Sequence, residues 1–318
     1  MNFPVFDFHC DTAFGMLGPS LDQEYSLRNN ELHIDLLRAG TLAGYAQCFA
    51  CFTSDAETLP MPIAPQDVLQ REICAITRGL AKNSDIISQA FNAQDIEDNL
   101  CKGKMSAVLS LEGTAGFEYA PEALESLFRQ GFRITTLGWN EENPLAGSHV
   151  TGGGLTDKGR EYVREAQRLG MIVDVSHISD EAFWDIVDIT SLPVIASHSN
   201  SRSVWNVSRN LTDEMFCAIR DCCGVVGINL YPKFLGEDAD IDTVCDHIFH
   251  FLSLDPKCEH IALGSDLDGI EILPRGFTGV QDYPKLAQHL LERGLPETMV
   301  FNVFWNNAVN LLKRCEIR

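Results

Sequence analysis

The sequence lacks the features that would direct a chain into a membrane, out of the cell or onto nucleic acid. It has no apolar run approaching the length of a membrane span, and residues 1–5 show no positive segment leading into an apolar one. Positive charge is scarce, because 24 Lys and Arg stand against 45 Asp and Glu, for a formal net charge of -21. Binding a phosphate backbone requires a basic surface, so we exclude nucleic acid as a partner. We expect a soluble, cytoplasmic protein without membrane association.

Disulfide bonds are not expected, although the chain contains 11 cysteines. Their number is odd, the chain is long for a disulfide scaffold, and no export segment is evident. Cys48 and Cys51 have the spacing of a redox or zinc-knuckle pair, but no second pair follows at the distance of a zinc finger. We interpret both as small core residues of a buried strand, and all the cysteines as reduced thiols.

The remaining composition suits a large globular domain of 318 residues, of which 45% are hydrophobic. Eight short apolar runs that end in polar residues alternate with segments of helical periodicity, which indicates parallel strands joined by helices. This pattern predicts a closed (β/α)8 barrel, the TIM-barrel fold, with residues 1–318 as one catalytic domain. The predicted strands are Pro4–Phe8, Leu42–Phe52, Met105–Leu111, Phe132–Leu137, Met171–Val175, Pro193–Ala196, Val225–Leu230 and His260–Gly264.

Helical periodicity is clearest in five segments between and after these runs. The predicted helices are Val68–Lys82, Glu122–Gln130, Thr156–Leu169, Tyr283–Leu291 and Pro296–Arg314. A glycine directly follows the second and the third, as expected where a helix ends in the left-handed conformation. The last two follow the eighth strand, and we expect them to close the barrel and cover its outside.

Potential metal ligands occur at the ends of five of the eight predicted strands. His9 and Asp11 are two residues apart at the end of the first, so their side chains project to the same side of an extended chain. The others each end a different strand: Glu112, His177, His198 and Asp266. Barrel enzymes build their active sites at the C-terminal ends of the strands, so we expect these six side chains to share one face.

Imidazole and carboxylate groups are ligands that zinc favours, and a glutamate has two oxygens that can bridge two ions about 3.5–4 Å apart. The pattern therefore predicts a two-metal hydrolase of the amidohydrolase type. His9 and Asp11 would hold one ion, and the two later histidines would hold the other. Glu112 would lie between the ions, which leaves Asp266 to transfer protons. A hydroxide shared by the ions would attack a carbonyl that one of them polarises.

Seven segments resemble the renal (membrane) dipeptidase family, the M19 metallopeptidases, in the order in which that family has them. They span nearly the whole chain: residues 6–11 (FDFHCD), 35–40 (DLLRAG), 111–113 (LEG), 172–177 (IVDVSH), 196–199 (ASHS), 208–210 (SRN) and 264–269 (GSDLDG). The resemblance implies a zinc-dependent dipeptidase with two Zn²⁺ ions per chain. It also implies the same five metal ligands that the spacing selects.

The resemblance implies further roles that the spacing alone does not supply. Arg209 would bind the carboxylate of the substrate, and Asp266 would act on the bridging water and the leaving amine. Tyr231 would line the substrate pocket. A carboxylate held one residue beyond the scissile bond limits the substrate to dipeptides, and the family implies tolerance of a D-residue at the second position. A homodimer is expected from the same resemblance.

One position departs from the pattern of the animal enzymes. They carry a substrate-contacting histidine after the fourth strand, where this chain has Trp139. An indole N–H donates one hydrogen bond and the ring packs on a ligand, but the side chain neither ligates metal nor accepts a proton. We expect Trp139 to shape the wall of the substrate pocket. We place His149, in the glycine-rich loop 147–154, as a further contact over the site.

Two other functions fit parts of this pattern. Another two-metal amidohydrolase, acting on a cyclic amide, a lactone or an N-acyl amino acid, would share the fold and the metals, which cannot separate these activities. Arg209 and the order of the motifs favour the dipeptidase. A non-catalytic metal-binding or scaffold protein would be expected to lack one of the six polar residues at the strand ends, and all six are present.

Overall fold

Strands and helices alternate along most of the chain. The computed structural model describes residues 3–57, 59 and 61–316. Its strands are β1 (Val5–Cys10), β2 (Tyr45–Phe52), β3 (Ile87–Gln89), β4 (Met105–Glu112), β5 (Phe132–Thr136), β6 (Ile172–Asp174), β7 (Val194–Ala196), β8 (Val225–Ile228) and β9 (Ile261–Leu263). Its helices are α1 (Thr12–Gly15), α2 (Leu36–Ala39), α3 (Pro65–Lys82), α4 (Ala93–Cys101), α5 (Ala123–Gln130), α6 (Asp157–Leu169), α7 (Asp180–Ile189), α8 (Asp213–Asp221), α9 (Pro232–Leu235), α10 (Ile241–Leu254), α11 (Tyr283–Glu292), α12 (Glu297–Phe301) and α13 (Asn307–Cys315). Across the described ranges, none of the helices combines the length and the apolar character needed to span a membrane.

Eight strands close a parallel barrel, and β3 lies outside it. The barrel order is β1, β2, β4, β5, β6, β7, β8 and β9, and β9 pairs back with β1. β3 pairs with the first residues of β4, for example Ile87 with Met105. The eight predicted runs coincide with the eight barrel strands within a few residues, so the predicted (β/α)8 barrel is confirmed. β3 was not predicted because two of its three residues, Ser88 and Gln89, are polar and only partly buried.

Alternate residues of the barrel strands fill the interior with apolar side chains. Phe6 and Phe8 of β1 share one buried cluster with Ala46 and Cys48 of β2. The other strands contribute Val108, Ile134, Ile172, Ile195, Val225 and Ala262 to it. The side chain of Cys48 is fully buried there, which confirms its predicted role as a core residue. Because the interior is filled, a ligand has access only at the ends of the strands.

The predicted helices form with small shifts at their ends. α3 begins at Pro65, before the predicted start, because proline suits the first turn of a helix. Gly131 and Gly170 follow α5 and α6 in the left-handed conformation, with φ values of 104° and 81°. Thr156 caps α6, since its side chain accepts a hydrogen bond from the N–H of Gly159.

The last predicted helix, Pro296–Arg314, is interrupted near its middle. A π-helical turn over Asn302–Asn306 separates α12 from α13, and residues 303–305 within it are all buried. These three consecutive side chains all lie on the buried side of the turn. Trp305 packs against Phe6 with ring centroids 6.2 Å apart, and thereby joins the interior cluster of the barrel.

Candidate metal centre and substrate cavity

The C-terminal ends of the barrel strands surround an open cavity of about 310 Å³. Acidic groups and one histidine share its lining with a larger number of aromatic and aliphatic side chains. The lining residues are Asp11, Phe14, Phe52, Leu59, Glu112, Trp139, Asn140, His177, Tyr231, Phe234, Asp266, Asp268, Gly269 and Ile270. The cavity therefore lies on the face where barrel enzymes place their active sites.

Glu112, the last residue of β4, lies between two groups of potential metal ligands. Its Oε2 is 3.2 Å from Nε2 of His9, and its Oε1 is 3.0 Å from Nε2 of His177 and 3.8 Å from Nε2 of His198. The glutamate is almost completely buried. One carboxylate thus presents a separate oxygen atom to each group, an arrangement that suits a ligand shared by two ions.

The first group consists of His9, Asp11 and Asp266. Nε2 of His9 is 3.2 Å from Oδ2 of Asp11 and 3.8 Å from Oδ1 of Asp266. Ligand atoms of all three lie within 4.8 Å of one another, close enough to share one cation. β1 supplies the histidine, and the carboxylate of Asp11 follows directly after the strand.

The second group consists of His177 and His198, which follow β6 and β7. Their Nε2 atoms are 2.8 Å apart. The ring of His198 also stacks on His9, with ring centroids 3.8 Å apart, so the two groups are contiguous. His9, Glu112 and His198 likewise present ligand atoms within 4.8 Å of one another. The structure thus brings together all six polar residues that the sequence places at the strand ends.

The carboxylates of the site repel one another in a buried environment. Burial raises the pKa of Asp11 to about 6, and the charge of Glu112 adds to the rise. Burial also raises the pKa of Asp266 to about 7, with further contributions from Asp11 and Glu112. For Glu112, burial raises the pKa, but the attraction of His9 and the hydrogen bonds with His9 and Asp11 together outweigh burial, so that pKa lies below its usual value. A cation bound among these carboxylates would relieve their repulsion and lower both raised pKa values.

The pKa values of the histidines in the two groups shift in opposite directions. Burial lowers the pKa of His9, but the charges of Glu112 and Asp11 outweigh burial and hold that pKa well above its usual value. Burial lowers the pKa of His177 and His198 well below the usual range, and the positive charge of Arg209 acts in the same direction. The rings of His177 and His198 are therefore neutral, the form of imidazole that binds a metal ion.

His198 is oriented by a hydrogen-bonded chain that ends on a buried aspartate. Its Nδ1 lies 2.6 Å from Oγ of Ser197, which donates to Oδ2 of Asp174 at 2.5 Å. Because the hydroxyl donates to the carboxylate, it accepts from the N–H at Nδ1 and leaves Nε2 free to face the site. Asp174 also accepts from the backbone N–H groups of Ser176 and Ser197, at 2.9 Å each.

Asp7 is a second buried aspartate next to a candidate metal ligand, in this case His9. It accepts a hydrogen bond from the backbone N–H of His9 at 2.9 Å and another from that of Ser265 at 3.0 Å, and it also binds the hydroxyl of Tyr283. Neither Asp7 nor Asp174 is among the functional residues predicted from the sequence. Each accepts a hydrogen bond from the backbone N–H of the residue two positions later, a contact that the structure shows and the sequence does not.

Three residues at the cavity adopt the left-handed backbone conformation, which is unfavourable for residues other than glycine. They are His177, Asp266 and Asp268, with φ values of 71°, 64° and 70°. Asp268 is anchored by two hydrogen bonds, from the hydroxyl of Thr12 at 2.6 Å and from the backbone N–H of His33 at 2.5 Å. Such strain concentrates at functional sites, where the surrounding contacts maintain it.

Arg209 is buried near the site and incompletely paired. Its side chain donates from Nη1 to Oγ of Ser199 at 2.6 Å, and its guanidinium lies 5.7 Å from the ring centroid of Phe234, which lines the cavity. Nε and Nη2 are buried and have no hydrogen-bond partner among the described residues. Burial lowers the pKa of Arg209, against the attraction of Asp266, Asp174 and Glu112.

Trp139 and Tyr231 both line the cavity. The ring of Trp139 meets Phe52 edge-on, with centroids 5.2 Å apart, and lies 6.3 Å from the ring of His177. The hydroxyl of Tyr231 donates to Oε1 of Glu271 at 2.7 Å. The two aromatic residues are therefore placed as parts of the cavity wall.

His149 lies beside the cavity rather than in its lining. Its Nδ1 is 3.0 Å from Oγ of Ser208, and its Nε2 is 2.9 Å from Oδ1 of Asn140. Burial lowers the pKa of His149 to about 4, and the charges of Arg209 and Arg202 add to the effect. Both ring nitrogens are thus engaged within the protein, and the side chain links two loops.

Sequence comparison places the chain among known peptidases. A profile of the membrane dipeptidase family, peptidase family M19, matches residues 1–317. An uncharacterized dipeptidase of Schizosaccharomyces pombe is 35% identical over 228 residues, which are 70% of this chain and 56% of that protein. A dipeptidase of Claviceps purpurea is 29% identical over 253 residues, which are 77% of this chain and 59% of that protein. The chain thus spans somewhat more than half the length of these two relatives.

A solved structure shares the fold over the full length of both chains. It is a metallopeptidase from Rhodobacter sphaeroides liganded with a phosphinate mimic of the dipeptide L-Ala-D-Ala. The TM-score is 0.89 at 27% sequence identity, with 99% of this chain and 100% of that chain covered. The match over residues 1–317 agrees with the resemblance seen in the motifs, and the chain belongs to the membrane dipeptidase family of metallopeptidases, peptidase family M19.

Proposed function

We propose that this chain is a dipeptidase that uses two zinc ions. The position of Glu112 carries the proposal, because its Oε2 faces His9 at 3.2 Å while its Oε1 faces His177 at 3.0 Å. A carboxylate with one oxygen toward each of two ligand groups suits a pair of metal ions. Membership of a metallopeptidase family supports the same chemistry.

The residues present fit two divalent cations. His9 and Asp11 would supply a nitrogen and an oxygen on one side of Glu112, and His177 and His198 would supply two nitrogens on the other. Neutral imidazole and carboxylate are common zinc ligands. When bound, the ions would lower the pKa of water and polarise a peptide carbonyl.

Asp266 is the residue that we assign to proton transfer. Asn229 Nδ2 donates to its Oδ2 at 2.9 Å, while its Oδ1 faces His9 at 3.8 Å. A pKa raised to about 7 by burial suits a group that accepts and returns a proton near neutral pH. Asp266 takes the proton of the attacking water and passes it to the nitrogen of the leaving amine as the peptide C–N bond breaks.

Arg209 is assigned to the carboxylate of the substrate. A carboxylate that binds Nε and Nη2 together would satisfy both unpartnered nitrogens in the parallel geometry that guanidinium groups favour. A carboxylate held there limits the substrate to two residues. The relative from Rhodobacter sphaeroides binds a mimic of L-Ala-D-Ala, which supports tolerance of a D-residue at the second position here.

The wall of the cavity is assigned to substrate selection. Trp139 and Tyr231 line it together with other apolar side chains, so dipeptides with apolar side chains should be preferred. Trp139 shapes this wall. His149 acts on the substrate indirectly, because Ser208 and Asn140 already occupy its ring nitrogens.

We also propose a cellular compartment, a domain organisation and an oligomeric state for the enzyme. All eleven cysteines are free thiols, which fits the reducing environment of the cytoplasm. A single catalytic domain over residues 1–318 and a homodimer are proposed on the resemblance to the family.

A substrate panel tests the activity. The purified protein would be assayed on L,L and L,D dipeptides, on the corresponding N-acyl amino acids, and on a lactone and a cyclic amide, each with and without a chelator. We expect dipeptides to be hydrolysed fastest, and the chelator to abolish the reaction. Faster hydrolysis of an N-acyl amino acid, a lactone or a cyclic amide would show that the enzyme is another amidohydrolase and not a dipeptidase.

A further inference from the structure

Asn140 contacts two histidines through a single side-chain atom. Its Oδ1 lies 2.9 Å from Nδ1 of His177 and 2.9 Å from Nε2 of His149. Asn140 lines the cavity, next to Trp139 in the loop that follows β5. His177 is one of the two histidines that face Oε1 of Glu112, so this contact acts directly on the candidate metal centre.

These contacts determine which nitrogen of each ring carries a proton. A carboxamide oxygen only accepts hydrogen bonds, so the nitrogen of each ring that faces it must be protonated. His177 therefore carries its proton on Nδ1, and Nε2 keeps its lone pair for the site. With the amide reversed, its N–H groups would face both rings and the proton of His177 would move to Nε2, which would then be unable to bind a metal ion.

The proton on His149 also determines the next hydrogen bond, further from the metal centre. With Nε2 of His149 protonated, its Nδ1 accepts a hydrogen bond from the hydroxyl of Ser208 at 3.0 Å. Ser208 directly precedes Arg209, the residue assigned to the substrate carboxylate. A continuous chain of hydrogen bonds thus joins His177, Asn140, His149 and Ser208.

Backbone contacts hold this chain in place. The backbone N–H of His149 donates to the carbonyl oxygen of His177 at 2.8 Å, and the hydroxyl of Ser148 donates to the carbonyl oxygen of Asn140 at 2.7 Å. The loop that carries His149 is therefore fixed both to the strand end that carries His177 and to Asn140. The position of this loop holds the carboxamide of Asn140 between the rings of His149 and His177.

We infer that Asn140 is a positioning residue, which selects the tautomer of His177 that binds metal and links this ligand to the segment carrying Arg209. The inference rests on the proposed two-metal site and adds to it a residue outside the set of ligands. Hydrogen-bond partners of this kind orient a ligating histidine, and their loss typically lowers metal affinity by about 10–100-fold.

Three variants test the inference through metal affinity, measured by competition with a chromophoric chelator. Asn140→Leu removes the acceptor at similar volume and should weaken the binding of zinc by about 10–100-fold. Asn140→Asp keeps an oxygen acceptor and should retain the affinity. Asn143→Leu is the matched control, because Asn143 lies in the same loop but, among the described residues, its side chain bonds only to the backbone of Leu137, Leu145 and Ala146.

The outcomes separate positioning from general loop stability. Loss in Asn140→Leu, with affinity retained in Asn140→Asp and Asn143→Leu, supports the inference. Equal losses in Asn140→Leu and Asn143→Leu, or no loss in Asn140→Leu, overturn it. Nitrogen-15 NMR of the zinc-loaded wild-type protein gives a second test that needs no variant: the proton of His177 should be on Nδ1, and a proton on Nε2 would overturn the inference.

The metal content of the wild-type protein distinguishes this inference from the proposed function. A wild-type chain that takes up no metal contradicts both. A wild-type chain that binds two ions, with Asn140→Leu of equal affinity, leaves the proposed function intact and refutes only the role of Asn140.

Discussion

Single side chains at the barrel mouth differ in how their charge is compensated. Asp11 and Glu112 face histidines and the proposed cations, whereas Glu72 of α3 faces neither. Glu72 is fully buried, and its carboxyl group faces the thiol of Cys51 and the backbone of Phe52. Burial raises the pKa of Glu72 well above its usual value of 4.5, and the charge of Asp11 adds to the rise. Glu72 therefore stays protonated in the folded protein at a pH where it ionises in the unfolded chain.

Glu72→Gln should change how stability depends on pH. The pKa of Glu72 is higher in the folded protein than in the unfolded chain. Protonated Glu72 therefore makes its full contribution to the free energy of unfolding below the pKa of the unfolded chain, and this contribution is lost as the pH rises through the pKa of the folded protein. Above pH 4.5 the free energy of unfolding of the wild type should therefore fall relative to the variant, by up to about 1.4 kcal/mol per pH unit. Urea unfolding of the metal-free proteins at about pH 5, 6 and 7 measures this slope. A difference that does not vary with pH would show that Glu72 is not protonated.

Arg209→Met should weaken recognition of the substrate carboxylate while leaving the metal content unchanged. The loss of a hydrogen bond to a charged group, about 1.5–3 kcal/mol, corresponds to a fall in kcat/KM of roughly 10-fold to 100-fold on dipeptides. Dipeptide amides, which lack the carboxylate, should lose much less. Arg129→Met on the exposed face of α5 is the control. Equal losses on dipeptides and their amides would show that Arg209 does not bind the carboxylate.

At the scale of secondary structure elements, the ends of β7, β8 and β9 must approach closely for His198 to be in place. A Cβ at Gly264 would lie 1.7 Å from the carbonyl oxygen of Ser197, and one at Gly227 would lie 2.0 Å from it. Only glycine fits at either position, because the clash is with backbone. Ser197 precedes His198, so these two glycines also determine where that ligand lies.

Gly264→Ala should therefore affect both stability and metal binding. Forcing a methyl group into this contact should lower the free energy of unfolding by about 1–3 kcal/mol and displace the residues next to His198. Gly103→Ala is the matched control, since a Cβ there meets no atom within 4 Å and only its positive φ of 69° is unfavourable. Urea unfolding and chelator competition would be compared for the two variants. Unchanged zinc affinity in Gly264→Ala would contradict this account of the strand ends.

The sequence predicted the elements that have a local signal. All eight barrel strands are apolar runs that end in polar residues, so they could be located without knowing their partners. β3 contains a single apolar residue, Ile87, and the π-helical turn at Asn302–Asn306 lies within an otherwise helical pattern, so neither has a distinct local pattern. Both depend on contacts with other parts of the chain.

At the scale of the whole molecule, the barrel explains which parts of the site could be predicted. Side chains such as Glu112 and His198 could be grouped because parallel strands bring their C-terminal ends to one face. Asn140, Ser197 and Asp174 could not be identified, since their roles consist of hydrogen bonds between separate loops and strand ends. A sequence does not show which loop residue meets which ring nitrogen.

The central claim is that Glu112 joins two metal sites that act together in hydrolysis. It is tested most directly by titrating the metal-free protein with Zn²⁺ while following both bound metal and the rate on a dipeptide. We predict binding that saturates at two ions per chain, with full activity only after the second. Glu112→Gln should bind at most one ion tightly and lose activity by about 100-fold or more. Full activity of the wild type without metal or with one ion, or a Glu112→Gln variant that binds two ions and works normally, would contradict the account.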